Sequence, residues 1–260
     1  MIQLTVRSIK DFQTCERLYD YRYNDENLDL EKIYSRDLFS IKFENTLKTI
    51  LSYFWYKKQA GVTPSYSSLL NRWEKLWFPK DSDFYDITTE QHESAYGNTA
   101  SLTSKAASVL LNVYEVYSEK ELIPIAISED YLAIPNKKSS VSDTYDIIYA
   151  DGSNYYVVKY LFNYKSKNSY MYQVDFSTMW MGFYNRYPER IPKTKFGYVD
   201  LLSNDVSFCE YEVTSEDIDA LQYWCDTIVD KDVFVPRRGM TPYCSKCPYD
   251  DPCSKWTGWK

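Results

Sequence analysis

The sequence predicts an α/β protein in which helices flank a core sheet, and three observations carry that expectation. Residues 37–121 read as a helical region of three helices broken by a polar stretch. Residues 122–213 read as a series of strands interrupted by one helix. Cysteines gather near both ends of the chain, with Cys15 alone on one side and Cys244, Cys247 and Cys253 together on the other.

Taken in order, Met1–Val6 reads as a strand and runs into an aromatic-rich helix. Ser8 is its expected N-cap, and Phe12, Cys15, Leu18 and Tyr19 recur at helical spacing on one side. Leu38, Phe39, Ile41, Phe43, Leu47, Ile50, Leu51 and Phe54 mark a long helix over 37–58. Tyr66–Trp77 and Leu102–Glu121 read as further helices, separated by a polar stretch over 80–98. His92, the only histidine, lies in that stretch and reads as a surface residue. Glu121–Ile134 predicts an edge strand. Tyr145–Ala150 and Tyr155–Leu161 then predict a hairpin turning through Asp151-Gly152-Ser153. A helix over Val174–Arg186 and strands at Lys195–Leu202 and Val206–Val213 follow. Thr214-Ser215-Glu216-Asp217 caps a last helix to Val229. The expected organisation is a single domain over 1–260. It comprises an N-terminal segment (1–36), a helical region (37–121), a sheet core (122–235) and a cysteine loop (236–260).

Composition narrows the function. The chain has 27 tyrosines but only 7 glycines, and neither GxxxxGK[ST] nor GxGxxG occurs, so nucleotide-cradling loops are not expected. A net charge of −7 counts against a protein that coats DNA along its whole surface. No apolar run is long enough to span a bilayer, and no targeting peptide is visible at Met1. The expectation is no membrane partner and a cytoplasmic location, the host's cytoplasm if the genome is viral.

The C-x2-C-x5-C of Cys244, Cys247 and Cys253 sits among Pro248, Asp250, Asp251 and Pro252, which favour a loop. Three thiolates are an incomplete set for a tetrahedral metal or an iron–sulfur cluster, and Cys15 is the candidate fourth. A [4Fe-4S] cluster is the favoured cofactor and zinc the lesser one, because zinc ribbons supply two close pairs rather than one distant ligand. Unligated thiols are the remaining alternative. A disulfide is not expected, and Cys209 and Cys225 read as small buried hydrophobes.

The Ser8-x-x-x-Phe12-x-x-Cys15 segment, closed at the far end by C-x2-C-x5-C, resembles the iron–sulfur nucleases of the RecB/AddB/Cas4 group, within the PD-(D/E)xK superfamily. The resemblance implies a restriction-endonuclease-like core with a helical insertion and a C-terminal cluster loop. It implies Cys15, Cys244, Cys247 and Cys253 as ligands of the [4Fe-4S] cluster. It also implies a divalent-metal site on the central hairpin, where an acid on the first strand and an acid-x-lysine on the second share one face. Asp146 matches the first acid. Where active members resemble Val-Val-Asp-Tyr-Lys, this chain has Val157-Val158-Lys159-Tyr160-Leu161. The Gly-x-x-x-His of the family's preceding helix is missing, with Phe43 or Glu44 in its neighbourhood. Gln173, Ser177 and Tyr184 do not fall in the register of the family's glutamine–tyrosine motif.

A lysine at the acid position puts positive charge where a divalent ion should sit, and a leucine removes the catalytic amine. Lys159 is expected to pair with Asp146. The expected function is therefore a catalytically inactive DNA-binding or architectural subunit in replication, recombination or processing, partnered by DNA and by proteins of such a complex. The alternative is an Mg²⁺- or Mn²⁺-dependent DNA exonuclease with an atypical site of Asp146, Glu129 and Lys165. A redox-sensing cluster protein is a third possibility. Basic residues group at Lys165 and Lys167, at Arg186, Arg190, Lys193 and Lys195, and at Arg237 and Arg238. The last pair, beside the cysteine loop, is the foremost nucleic-acid candidate because the resemblance implies that it lies close to the family's nucleic-acid channel.

Overall fold

The computed structural model describes residues 1–24, 38–77, 99–162 and 172–236, together with positions 244, 247, 249 and 253. The chain opens with β1 (Ile2–Thr5), followed by α1 (Val6–Thr14) and α2 (Glu16–Tyr23). Thr5, not Ser8, is the N-cap. Its side chain accepts the Ser8 N–H at 3.0 Å, and Ser8 Oγ accepts the Thr5 N–H at 3.0 Å. Ser8 thus serves as the return arm of a capping box, and the helix begins earlier than expected. The expected single helix is broken at Cys15, whose extended backbone (φ −162°, ψ 123°) separates α1 from α2. The break turns the second half so that Leu18 and Tyr21 face a different cluster from Ile9 and Phe12.

Three helices follow: α3 (Leu38–Gln59), α4 (Tyr66–Trp77) and α5 (Thr99–Tyr117). The sheet consists of β2 (Ile123–Ala133), β3 (Ser139–Asp151), β4 (Asn154–Leu161), β5 (Thr194–Asp200) and β6 (Cys209–Glu210) together with β1. Between β4 and β5 lie α6 (Gln173–Arg186) and a 3₁₀ turn, and α7 (Ser215–Val229) follows β6. The sheet is mixed. β1 runs parallel to β3, β2 and β4 run antiparallel to it, β4 pairs parallel with β5, and β6 closes the edge antiparallel. The β3–β4 turn uses Gly152 at φ 59°, as a tight hairpin requires.

The architecture is helix–sheet–helix. On one face α3, α4 and α5 bury Leu47, Ile50, Phe54, Trp73 and Leu110 against Ile147, Val158 and Val199. On the other, α6 packs Phe176, Met179 and Phe183 against Ile148, Val157 and Leu161, with α1 and α7 completing the layer. Each fully buried Leu, Ile or Phe contributes about 1.5–3 kcal/mol, so these two layers dominate stability. The strand expected over Val206–Val213 shrinks to Cys209–Glu210, which pairs only with Gly197 and Tyr198. Cys209 is exposed on that short edge, contrary to expectation, whereas Cys225 is buried in α7. Among the described residues no helix is long and apolar enough to cross a membrane.

Candidate functional site

The sheet is forked, and the fork makes the site. β1 and β4 lie end to end along the same edge of β3, opposite β2. The β1 pairing stops at Thr5–Ser142, and the β4 pairing starts at Ile147–Val158. Among the described residues, 143–146 of β3 therefore have no strand beside them on that edge. Asp146 fills the gap by accepting the Tyr160 N–H at 2.7 Å, in place of a ladder hydrogen bond. A cleft of about 360 Å³ opens there, bounded by α3 and floored by Asp143, Asp146 and Lys159. Ser128 lines it from β2 with φ 49°, the only non-glycine positive φ among the described residues, and its hydroxyl lies 2.6 Å from that of Ser52. Residues held in that region of backbone space cluster at functional sites.

The charges in the cleft pair differently from the expectation. Lys48 of α3 holds Asp146, at 2.8 Å to Oδ1 and 3.1 Å to Oδ2. Lys159 instead pairs with Asp143 and lies 3.8 Å from Asp175 of α6. Lys10 of α1 closes the set by pairing with Asp175. The reason is the fork: Asp146 turns toward α3 and Tyr160, while Lys159 projects toward α6, whose first turn carries Asp175. Burial alone would push the Lys159 ammonium down. The carboxylates of Asp175, Asp143 and Asp146 outweigh it and hold the group above the ordinary lysine value. Three carboxylates thus meet three ammoniums in a nearly closed network, Asp175 and Asp146 being only 5% and 9% exposed in their side chains. Leu161, two residues beyond Lys159, is buried against the α6 layer.

Glu129 is drawn away from the cleft by an ion pair with Arg186. Arg190 pairs with Glu189 and Lys195 with Glu210, so this basic group is largely charge-balanced. Phe43 packs into the core, whereas burial raises the Glu44 carboxyl and Lys48 opposes that shift. Gln173 donates to Asp217 at 2.7 Å, at the start of α7. Lys165, Lys167, His92, Arg237 and Arg238 lie outside the described residues.

The cysteine site joins the two ends of the chain. Cys15, Cys247 and Cys253 pack against a small core of Leu18, Tyr21 and Tyr249, where the two tyrosine rings stack at 5.2 Å. The Cys247 thiol is pushed up, first by burial and then by the neighbouring Cys15, Cys253 and Cys244, while the Tyr249 backbone opposes the shift. Cys247 therefore lies within electrostatic reach of each of the other three candidate ligands. The Cys253 N–H donates to the Tyr249 carbonyl at 2.9 Å and the Cys247 N–H to the Cys244 carbonyl at 3.2 Å, which shapes the local turns. A second tie between the ends runs from the Val235 N–H to Glu16 Oε2 at 3.1 Å. Among the described residues no group of three or more His, Cys, Asp or Glu side chains is closed to single-ion spacing. Burial pushes the Cys225 thiol up to about 11, consistent with an inert core cysteine.

Lys48, Asp143, Asp175 and Lys10 were missed in the sequence. None of them belongs to a local motif that would mark it in the sequence. Comparison with models of known protein families and with curated proteins found no match to this chain.

Proposed function

We propose that this chain is a non-catalytic relative of the iron–sulfur RecB/AddB/Cas4-like nucleases. On this reading it has a degenerate PD-(D/E)xK core and serves as a DNA-binding or architectural subunit of a replication, recombination or processing complex. The observation that carries the reading is the lysine network of the cleft. Asp146 lies at a fork between strands, where an acid-lined metal site would fit, but Lys48 and Lys159 supply its positive charge. An ammonium within ion-pair distance neutralises a carboxylate and opposes entry of a second cation.

The convergence of Cys15, Cys244, Cys247 and Cys253 supports the second half of the proposal. Three thiols packed on an apolar, aromatic seat, with Cys244 within electrostatic reach of Cys247, suit a [4Fe-4S] cluster, which thiolates hold. Such a cluster would tie α2 to the far end of the chain. The cysteines need only be reduced and gathered, and their neighbours Tyr21 and Tyr249 exclude water from one side.

The test is a matched binding and cleavage assay on labelled single- and double-stranded DNA, in chelator and with Mg²⁺ or Mn²⁺. Binding without cleavage in every condition is expected. Metal-dependent cleavage that disappears in Asp146→Ala would overturn the non-catalytic reading in favour of an exonuclease.

A further inference from the structure

We infer that the groove between α3 and α4 is a binding site for the phosphodiester backbone of nucleic acid. This rests on the DNA-binding reading above and places its contact on a surface that reading does not name.

The groove is an open depression of about 470 Å³, lined by Tyr53 of α3, by Ser65, and by Ser67, Ser68, Asn71, Arg72 and Lys75 of α4. It differs from the aspartate cleft in one decisive respect. The cleft balances its lysines with carboxylates, whereas among the described residues the groove has two cations in its lining and no acid. In a chain of net charge −7, such a local surplus marks a place where a polyanion is tolerated.

The cations are positioned. The Arg72 guanidinium lies 4.3 Å from the centre of the Tyr53 ring, and Lys57, one turn along α3, holds its ammonium 5.8 Å from the same ring. Stacking on an aromatic face fixes the guanidinium plane while leaving its N–H donors available to solvent or ligand. Arg72 and Lys75 are both exposed and are one turn apart on α4, with Asn71 and Ser68 on the same stripe. Ser65 accepts the Ser68 N–H at 3.3 Å, so the helix begins inside the groove with its positive dipole end there. Hydroxyl, amide and guanidinium donors along one stripe are the set that contacts phosphate and sugar without reading bases. The binding should therefore be indifferent to sequence.

The experiment compares the full chain with Arg72→Ala/Lys75→Ala and with the charge-keeping Arg72→Lys/Lys75→Arg. Binding to a single-stranded oligonucleotide and to a duplex is measured by fluorescence anisotropy from 50 to 200 mM salt. Loss of two phosphate contacts lowers the salt slope by about 1.4 units for single strands and about 1.8 for duplex. Over that fourfold change in salt, the affinity of the alanine variant should therefore fall roughly 7- to 12-fold less than that of the native protein. The charge-keeping variant should retain the native slope. Native binding with an unchanged slope in the alanine variant overturns the groove while leaving the DNA reading intact. Inorganic tripolyphosphate is titrated in parallel. If the native chain binds tripolyphosphate, the alanine variant does not, and neither binds DNA, the groove takes small phosphates only, and both the nucleic-acid proposal and the DNA reading fail. If the native chain binds neither, both fail.

Discussion

Reversing one charge in the cleft tests whether lysines have taken the place of a metal. Lys159→Asp changes the balance from three carboxylates against three ammoniums to four against two. Asp143 and Asp175 lose a shared partner, and the new carboxylate adds a like charge within the same network. Leaving a buried charge without its partner costs about 3–5 kcal/mol. Asp175 keeps Lys10 and Asp146 keeps Lys48, so the lower half of that range is expected. At about 2–4 °C per kcal/mol for a chain of this size, Tm in chelator should drop by roughly 6–16 °C. The variant cleft then resembles an acid-lined cation site. Mg²⁺ at one hundred times its Kd returns about 2.7 kcal/mol, or roughly 5–11 °C. The native protein should show no such rise. Differential scanning fluorimetry of both proteins, with chelator and with Mg²⁺, reads all four values. A native Tm that climbs several degrees with Mg²⁺, or a variant as stable as native in chelator, would refute the argument.

Three further outcomes are expected. Anaerobically purified protein should carry iron and sulfide, and Cys15→Ser should lower Tm as much as Cys247→Ser; stoichiometric zinc without iron would contradict the cluster. Glu44 has a carboxyl raised chiefly by burial, so the folded state favours its protonated form. Its contribution to stability is present below the ordinary glutamate value and is lost as pH rises through the folded one, so Glu44→Gln should stabilise the protein at pH 8 and lose that advantage near pH 3. Gly182→Ala would drive a methyl group into the Tyr131 ring, which is stacked on Tyr145, and should cost about 1–3 kcal/mol in urea denaturation.

The layered fold was legible because its periodicities are strong. Leu47, Ile50, Leu51 and Phe54 repeat at helical spacing, and the hairpin over 145–161 is bounded by a glycine turn. Boundaries set by one hydrogen bond were less legible. Thr5 and Ser8 are both good capping residues, and only the reciprocal bonds decide which is the cap. The break at Cys15 has no glycine or proline to announce it. The lysine pairing could not be read because it depends on how β3 forks. Lys48 reaches Asp146 across 98 positions of sequence, and a one-dimensional pattern favours the neighbour two strands' length away, Lys159. Asp143 and Asp175 were hidden for the same reason, since neither belongs to a local motif.

The fork also links the two sites through α1. This helix of nine residues presents Lys10 to Asp175 and ends at Cys15, so the cysteine loop and the cleft share a rigid lever. At 1.5 Å per residue, five residues separate the two anchors by about 7.5 Å along the axis, less than two turns. If the cysteine site fixes the end of α1, then opening it should loosen the Lys10–Asp175 pair. The loss from Lys10→Met should accordingly be smaller in a Cys15→Ser background than in the native chain. A double-mutant cycle on unfolding free energy measures this directly, and residues coupled through a shared element typically show about 0.5–3 kcal/mol of interaction. Additivity within about 0.5 kcal/mol would show that α1 is held by its own packing, with Ile9 and Phe12 buried against Leu221 and Cys225, and that the ends of the chain act independently of the cleft.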